Sequence, residues 1–343
     1  MIAFLFDMAV MLFQILNAKR LLQWLGLGDT RDAHQPFPTS TKIIKIPPRL
    51  TYYELLCGGA VGWVYRIDCR IVLKYPVRPN SDGFNREMAF FDILEKHEPC
   101  PHIVQSFLRV SDGIFLAFMG GGSLHHRLET HQRRSADGRR VEQVVSTEPH
   151  YLVKQWLMEL CKAAAWLESL GYVHGDIRPP NLLLDNQDHL KLADFDCVQL
   201  IGTSLEGGAA APWARVLGAE YGSEEGSFGT CGPRTEQFAI GSILYCLTRG
   251  HEPYEMDHFD DDAEKVTLFK HMMFPPLSDS HFDTIIERSW KGEFARLKNL
   301  SEEANSLCFE KDQPRSASLT VEYCSDIRRE CQSLVDRGLL VFT

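Results

Sequence analysis

The sequence predicts an α+β chain with two unequal lobes: a small antiparallel sheet with one helix, then a larger, mainly helical lobe. Three observations carry this. Short runs rich in β-branched and aromatic residues recur from residue 50 onward, split by Gly or polar turns. Apolar residues then recur at helical spacing from Leu152 to Leu167, and Phe238 to Leu247 is apolar on every side, as a buried helix is. With 343 residues, 44% of them hydrophobic, the chain is long enough to bury such a core.

Taken in order, Tyr52 to Leu56, Trp63 to Ile67 and Arg70 to Tyr75 read as strands, Phe84 to Leu94 as a helix, and Val104 to Arg109 and Ile114 to Phe118 as two further strands. Gly120-Gly121-Gly122 then reads as a flexible crossing into the second lobe. His131 to Ser146 carries Arg133, Arg134, Arg139 and Arg140 without an apolar period, which predicts an exposed loop. Within it Arg133-Arg134-Ser135 has the look of a basophilic phosphorylation target, with a plain solvated basic loop as the favoured reading. The expected division is residues 1–49 as an apolar segment and linker, 50–119 and 120–310 as the two lobes, and 311–343 as a C-terminal helical extension.

Met1 to Leu16 is almost wholly apolar, too short for a membrane span and wrong at its start for a signal peptide. Asp7, Gln14 and Asn17 share one helical stripe, so simple docking or disorder is favoured for residues 1–27 over membrane contact. A formal charge of −10 argues against a nucleic-acid partner. Ten cysteines lie scattered without a C-x-x-C pair, which points to reduced thiols and a cytoplasmic setting.

The chemistry concentrates in His174-Gly175-Asp176-Ile177-Arg178-Pro179-Pro180-Asn181 and, thirteen residues on, Asp194-Phe195-Asp196. Asp176 is a carboxylate placed to take the proton of an attacking hydroxyl, and Asn181 and Asp194 are hard-oxygen ligands suited to Mg²⁺. The run resembles the protein-kinase catalytic loop H-R-D-x-x-x-x-N followed by D-F-G. The resemblance extends from about Tyr52 to Trp290 and is nearest to the divergent kinase-like proteins of filamentous fungi. It implies a two-lobed protein-kinase-like fold that uses ATP and Mg²⁺ to phosphorylate Ser/Thr hydroxyls of a protein substrate.

On that resemblance Arg178 sits near the transferred phosphate, and Cys57, Gly59, Gly62 and Val64 stand in the glycine-rich loop over the phosphates. Lys74, ending Ile71-Val72-Leu73-Lys74, is the phosphate-holding lysine and Glu87 its partner. Phe91 is expected beside Phe195, His174 as a packing residue rather than a proton carrier, and Leu183 as the floor under adenine. Glu236-Gln237-Phe238-Ala239-Ile240-Gly241-Ser242 resembles the buried helix opening D-x-W-S-x-G, and Gly250 to Tyr254 the G-x-x-P-[FY] that follows it. The A-P-E motif is not recognisable, and Glu220, Glu224 and Glu225 are all candidates for its acid.

Five departures from the pattern matter: Cys57, Gly175, Asp196, Glu236 and the missing A-P-E. They keep a second reading open, a pseudokinase that binds nucleotide or scaffolds partners. The third is a small-molecule kinase of the aminoglycoside or choline kinase type, which shares H-G-D-x-x-x-x-N. Gly175 also removes the arginine that pairs with an activation-loop phosphate, so an active enzyme is expected not to depend on phosphorylation of Thr203, Ser204, Ser223, Ser227 or Thr230.

Overall fold

The computed structural model describes residues 46–342 apart from 137, 139, 206–209, 258, 260–262 and 308–315. The apolar stretch of residues 1–16, and with it the role expected of residues 1–27, lies outside the described residues. Among the described residues no helix is long and apolar enough to cross a membrane.

The first lobe is a five-stranded antiparallel sheet, β1 (Glu54–Gly58), β2 (Gly62–Arg66), β3 (Ile71–Pro76), β4 (Ser106–Val110) and β5 (Gly113–Ala117), in the order β1-β2-β3-β5-β4. β3 and β5 are buried along their whole length, which requires cover on both faces. Helix α1 (Asp82–Leu94) covers one face, presenting Phe84, Glu87, Phe90 and Phe91 from a single stripe. Val72, Ile114 and Leu116 join that core. Alternate residues Ile71, Leu73, Tyr75, Phe115 and Ala117 point the other way, into a second core with Ile327, Cys331 and Leu339 from the C-terminal segment.

After the sheet the chain passes through Gly121, where a Cβ would come within 2.9 Å of the Leu184 and Asp185 carbonyls. Only glycine permits that approach. The short strand β6 (Gly122–Ser123) leads into α2 (Leu124–Thr130), whose N-cap Ser123 hydroxyl accepts from the His126 amide. Residues 131–146, expected as an exposed loop, instead form a two-stranded hairpin, β7 (Gln132–Arg134) and β8 (Val141–Val144). Tertiary contacts hold it: Val141 is buried, Gln132 donates to the Gly250 carbonyl (2.5 Å) and Arg134 pairs with Glu255 (2.9 Å).

The second lobe is built on α3 (His150–Ser169), which buries Leu152, Val153, Trp156, Leu157, Leu160, Ala163, Ala164 and Leu167 at helical spacing. Strands β9 (Tyr172–Val173), β10 (Leu182–Leu184), β11 (Leu190–Leu192) and β12 (Gln199–Leu200) follow. β11-β10-β6 and β12-β9 are separate small sheets. α4 (Pro233–Arg249) is buried continuously from Glu236 to Leu247 between α3 and α6 (His281–Lys291). α5 (Ala263–Lys270), α7 (Leu297–Ser306) and α8 (Val321–Asp336) complete the described helices. The architecture is the two-lobed α+β one read from the sequence.

Candidate active site

The loop between β9 and β10 is shaped by its own polar contacts. His174 and Gly175 donate their backbone amides to the two carboxylate oxygens of Glu236 on α4 (2.8 and 3.2 Å), so the buried helix carries the loop. Burial pushes the Glu236 carboxyl up to about 7, partly offset by those two amides. The His174 ring accepts from the Asp176 amide at Nδ1 (3.2 Å) and lies 2.9 Å from the Ala193 carbonyl at Nε2. That pairing sets the proton on Nε2, and burial pulls the ring down to about 4, so it stays neutral.

Asp176 is buried, and its Oδ2 accepts from Asn181 Nδ2 (2.8 Å) and Arg178 Nε (3.0 Å). Burial pushes its carboxyl up to about 6, with Arg178 and Asn181 pulling the other way. Pro179–Asn181 forms a 3-10 turn that brings the Asn181 amide group back onto Asp176. Because Nδ2 is directed at Asp176, the Asn181 amide oxygen is left as the outward acceptor.

Asp194 sits in the left-handed region (φ 69°) at the start of the following turn. Phe195 is fully buried, its ring centroid 5.3 Å from Phe90, 5.5 Å from Phe91 and 5.2 Å from His174. Phe195 thus meets Phe91 and His174 through edge-on ring contacts. Lys74 reaches into the same place: its Nζ pairs with Glu87 and lies 2.6 Å from Asp194 Oδ1. Although burial opposes the charge, Glu87 and Asp194 together hold the Lys74 ammonium above its ordinary value. Glu87 also accepts from the Phe195 amide (3.3 Å).

The glycine-rich loop packs against Lys74. Cys57, exposed, pairs with Val64 across the β1–β2 hairpin, and Gly59 donates to the Gly62 carbonyl (2.8 Å). Val64 stands opposite Lys74 in the β2–β3 ladder, and a Cβ on Gly62 would meet the Lys74 stem at 3.0 Å. Leu183 is half-buried on β10, opposite Ser123 and Lys191. Of the expected site residues, the structure joins Lys74, Glu87 and Asp194 in one contact set and Asp176, Arg178 and Asn181 in another.

Two departures take on physical meaning. Gly175 adopts φ 78°, and a Cβ there would lie 2.6 Å from the Cys197 carbonyl, so this backbone demands glycine. Asp196 lies half-buried beside Asp194, burial first and that neighbour second pushing its carboxyl up. Motif reading did not single out Arg86, although it directly precedes Glu87. Its Nη1 donates to the Asp196 carbonyl (2.7 Å) and ties the turn to α1. Further along, Thr203 and Leu205 pair with Cys231 and Gly229 through their backbones. Of the three acids considered for the missing motif, Glu220 pairs with Arg215 and Glu225 with Lys270 (2.8 Å).

Comparison with known proteins gives this arrangement a family. The protein kinase domain matches residues 72–322. Serine/threonine-protein kinase MRCK gamma of Homo sapiens is 31% identical over 133 residues, 37% of this chain and 8% of that protein. Myotonin-protein kinase of Mus musculus is 28% identical over 138 residues, 38% of this chain and 22% of that protein. Rho-associated protein kinase 1 of Homo sapiens is 25% identical over 224 residues, 61% of this chain and 15% of that protein. The alignments therefore span less than a quarter of each of these relatives. With the kinase domain matched over most of its length and the two-lobed fold around the cleft, the chain belongs to the protein kinase family.

Proposed function

We propose that this chain is an ATP- and Mg²⁺-dependent kinase that transfers the γ-phosphate to Ser/Thr hydroxyls of protein substrates. The observation that carries the reading is the Lys74 ammonium held between Glu87 and Asp194, within the same cleft as an Asp176 carboxylate oriented by Arg178 and Asn181. The donor set fits the group it would hold: the Asn181 amide oxygen and the Asp194 carboxylate are hard ligands suited to Mg²⁺, which also takes phosphate oxygens. Bound Mg-ATP supplies the transferable phosphoryl group. In this reading Lys74 neutralises the α- and β-phosphates, Cys57, Gly59, Gly62 and Val64 line the loop above them, and Leu183 lies under the base. Asp176 takes the hydroxyl proton as the new P–O bond forms and the β–γ bridge breaks, and Arg178 offsets the charge that develops.

The relatives' names support a protein acceptor, since each is called a protein kinase, and one of them, a serine/threonine-protein kinase, supports hydroxyl acceptors. The letter departures at Gly175 and Asp196 support placement among divergent branches such as the fungal kinase-like proteins. Residues 50–119 and 120–310 would be the lobes and 311–343 an extension, in a cytoplasmic setting. Transfer of labelled γ-phosphate to a broad protein and peptide panel, with Asp176→Asn as control, tests the proposal.

One observation favours a second reading. Asp196 puts a further carboxylate beside Asp194, where added negative charge and lost backbone freedom act against turnover. A nucleotide-binding pseudokinase would show a Mg-ATP-dependent rise in Tm, abolished in Lys74→Met, with no transfer. A small-molecule kinase would instead turn over an amino alcohol or aminoglycoside and leave protein untouched.

A further inference from the structure

The charges of the cleft do not balance on protein groups alone. Glu87, Asp176, Asp194 and Asp196 stand there against Lys74 and Arg178, four acids and two bases. Lys74 serves Glu87 and Asp194, and Arg178 serves Asp176. Among the described residues Asp196 has no ion pair, because exposed Arg86 spends its Nη1 on the Asp196 carbonyl rather than on the carboxylate. With glycine at 196 the acids would exceed the bases by one. The aspartate makes the surplus two.

Phe195 fixes where that carboxylate stands. Its fully buried ring anchors the 3-10 turn, and Asp194 and Asp196 flank it. At Glu87 and at Asp176 burial first pushes the carboxyl up, and the Asp196 charge adds to it, so Asp196 acts inside the cleft. Asn181 gives an independent sign of a cation. It is only 4% exposed, its Nδ2 donates to the Asp176 carbonyl and Oδ2, and its amide oxygen accepts from no donor among the described residues. A buried acceptor left so costs free energy unless a cation or a water meets it. Among the described residues no three His, Cys, Asp or Glu side chains gather closely enough to cage an ion by themselves. That suits a hydrated Mg²⁺ or Mn²⁺, which takes a few carboxylate and amide oxygens and keeps water on its other positions.

Resting on the kinase reading, we infer that Asp196 is a further ligand of the divalent cation, and that with Asp194 and Asn181 it lets the cleft take Mg²⁺ or Mn²⁺ before any nucleotide. Glycine offers no donor there, so the capacity comes from the departure itself. Two surplus negative charges match one divalent cation. The charge that acts against turnover in a bare cleft becomes the charge that holds the metal, and the nucleotide's phosphates then enter a cleft already neutralised.

The test uses the full chain without nucleotide and Mn²⁺ as the probe, followed by loss of the free-ion EPR signal. Asp196→Gly should bind Mn²⁺ at least about tenfold more weakly than wild type, since even an outer-shell partner of a metal ligand is worth about 10–100-fold. Asp196→Asn keeps an oxygen and drops the charge, so its affinity should fall between the two. Glu322→Gln removes an exposed carboxylate outside the cleft and should bind as wild type does. Mg²⁺ alone should raise the Tm of wild type and not that of Asp196→Gly. Equal Mn²⁺ affinity in wild type and Asp196→Gly, or an equal loss in Glu322→Gln, would overturn the inference. Should Asp196→Gly fail to fold, unchanged affinity in Asp196→Asn would overturn it in the same way. The titration involves no turnover, so it separates the two claims. Mn²⁺ held through Asp196 with no phosphate transferred would sink the kinase reading and leave the metal site, and transfer with unchanged affinity in Asp196→Gly would do the reverse.

Discussion

Gly175 offers a test that a single methyl group performs. Gly175→Ala keeps φ near 78°, where an L-residue carries a left-handed penalty of about 1–2 kcal/mol. The same change restricts the unfolded chain and returns about 0.4–1 kcal/mol. Both terms also apply at Gly202, which has φ 89° and nothing within 4 Å of its would-be Cβ. Gly202→Ala should therefore cost about 0–1.6 kcal/mol net. At Gly175 the new Cβ meets the Cys197 carbonyl at 2.6 Å, and that oxygen belongs to backbone just after Asp194-Phe195-Asp196. Relieving such a contact adds about 1–3 kcal/mol. Gly175→Ala should then lose about 1–5 kcal/mol in all, or roughly 1–7 °C in Tm for a chain of this size, and about 1–3 kcal/mol more than Gly202→Ala. Thermal and urea unfolding of the two variants side by side measures the difference. Equal losses at the two sites would refute the claim that the close approach to Cys197, rather than backbone hand alone, reserves position 175 for glycine.

Three further outcomes follow from the same geometry. Glu236→Ala strips the His174 and Gly175 amides of their acceptor, and at about 1–3 kcal/mol for each orphaned amide the loss should be about 2–6 kcal/mol by denaturant unfolding. Asp176 must be ionised to accept a proton, so with its carboxyl at about 6 kcat/KM should fall tenfold per pH unit below that point and be flat above it. Removing Arg178, which pulls that value down, should move the limb upward, and a limb near pH 4 would contradict the assignment. Phosphatase treatment, or alanine at Thr203, Ser204, Ser223, Ser227 and Thr230 together, should change the rate by less than about tenfold. The segment is already ordered by its ladder to residues 229–231 and by the Arg86 bond to Asp196, and a much larger loss would contradict that.

What was legible in the sequence follows from how locally each feature is encoded. β3 and β5 stood out because strands buried on both faces are dominated by apolar residues, here interrupted only by Lys74, and α4 because a fully buried helix is apolar on every side. Asp176 and Asn181 lie on the short β9–β10 connection and Asp194 on the β11–β12 connection, and the tight antiparallel β10–β11 pair between them brings the two connections together, so a short sequence window holds all three. The hairpin at 132–144 was misread since its ladder is backbone and its anchors, Gly250 and Glu255, lie more than a hundred residues away. α8 is mostly polar, with only Ile327 and Cys331 buried among its residues, and nothing local says that they complete a sheet at the far end of the chain. Gly175 was visible as a missing arginine. That its backbone needs glycine depends on Cys197 crossing above it, which only the fold reveals.

The central claim is that the cleft transfers phosphate, and the ratio of γ-phosphate transfer by wild type to transfer by Asp176→Asn tests it most directly. Both proteins are purified identically, matched for Tm, and given Mg-ATP with the same protein acceptor. The account predicts that wild type exceeds the variant by about 10²–10⁴-fold, the usual contribution of a positioned general base. Equal rates across the acceptor panel, with Mg-ATP still raising the Tm of wild type, would contradict it and leave a nucleotide-binding pseudokinase.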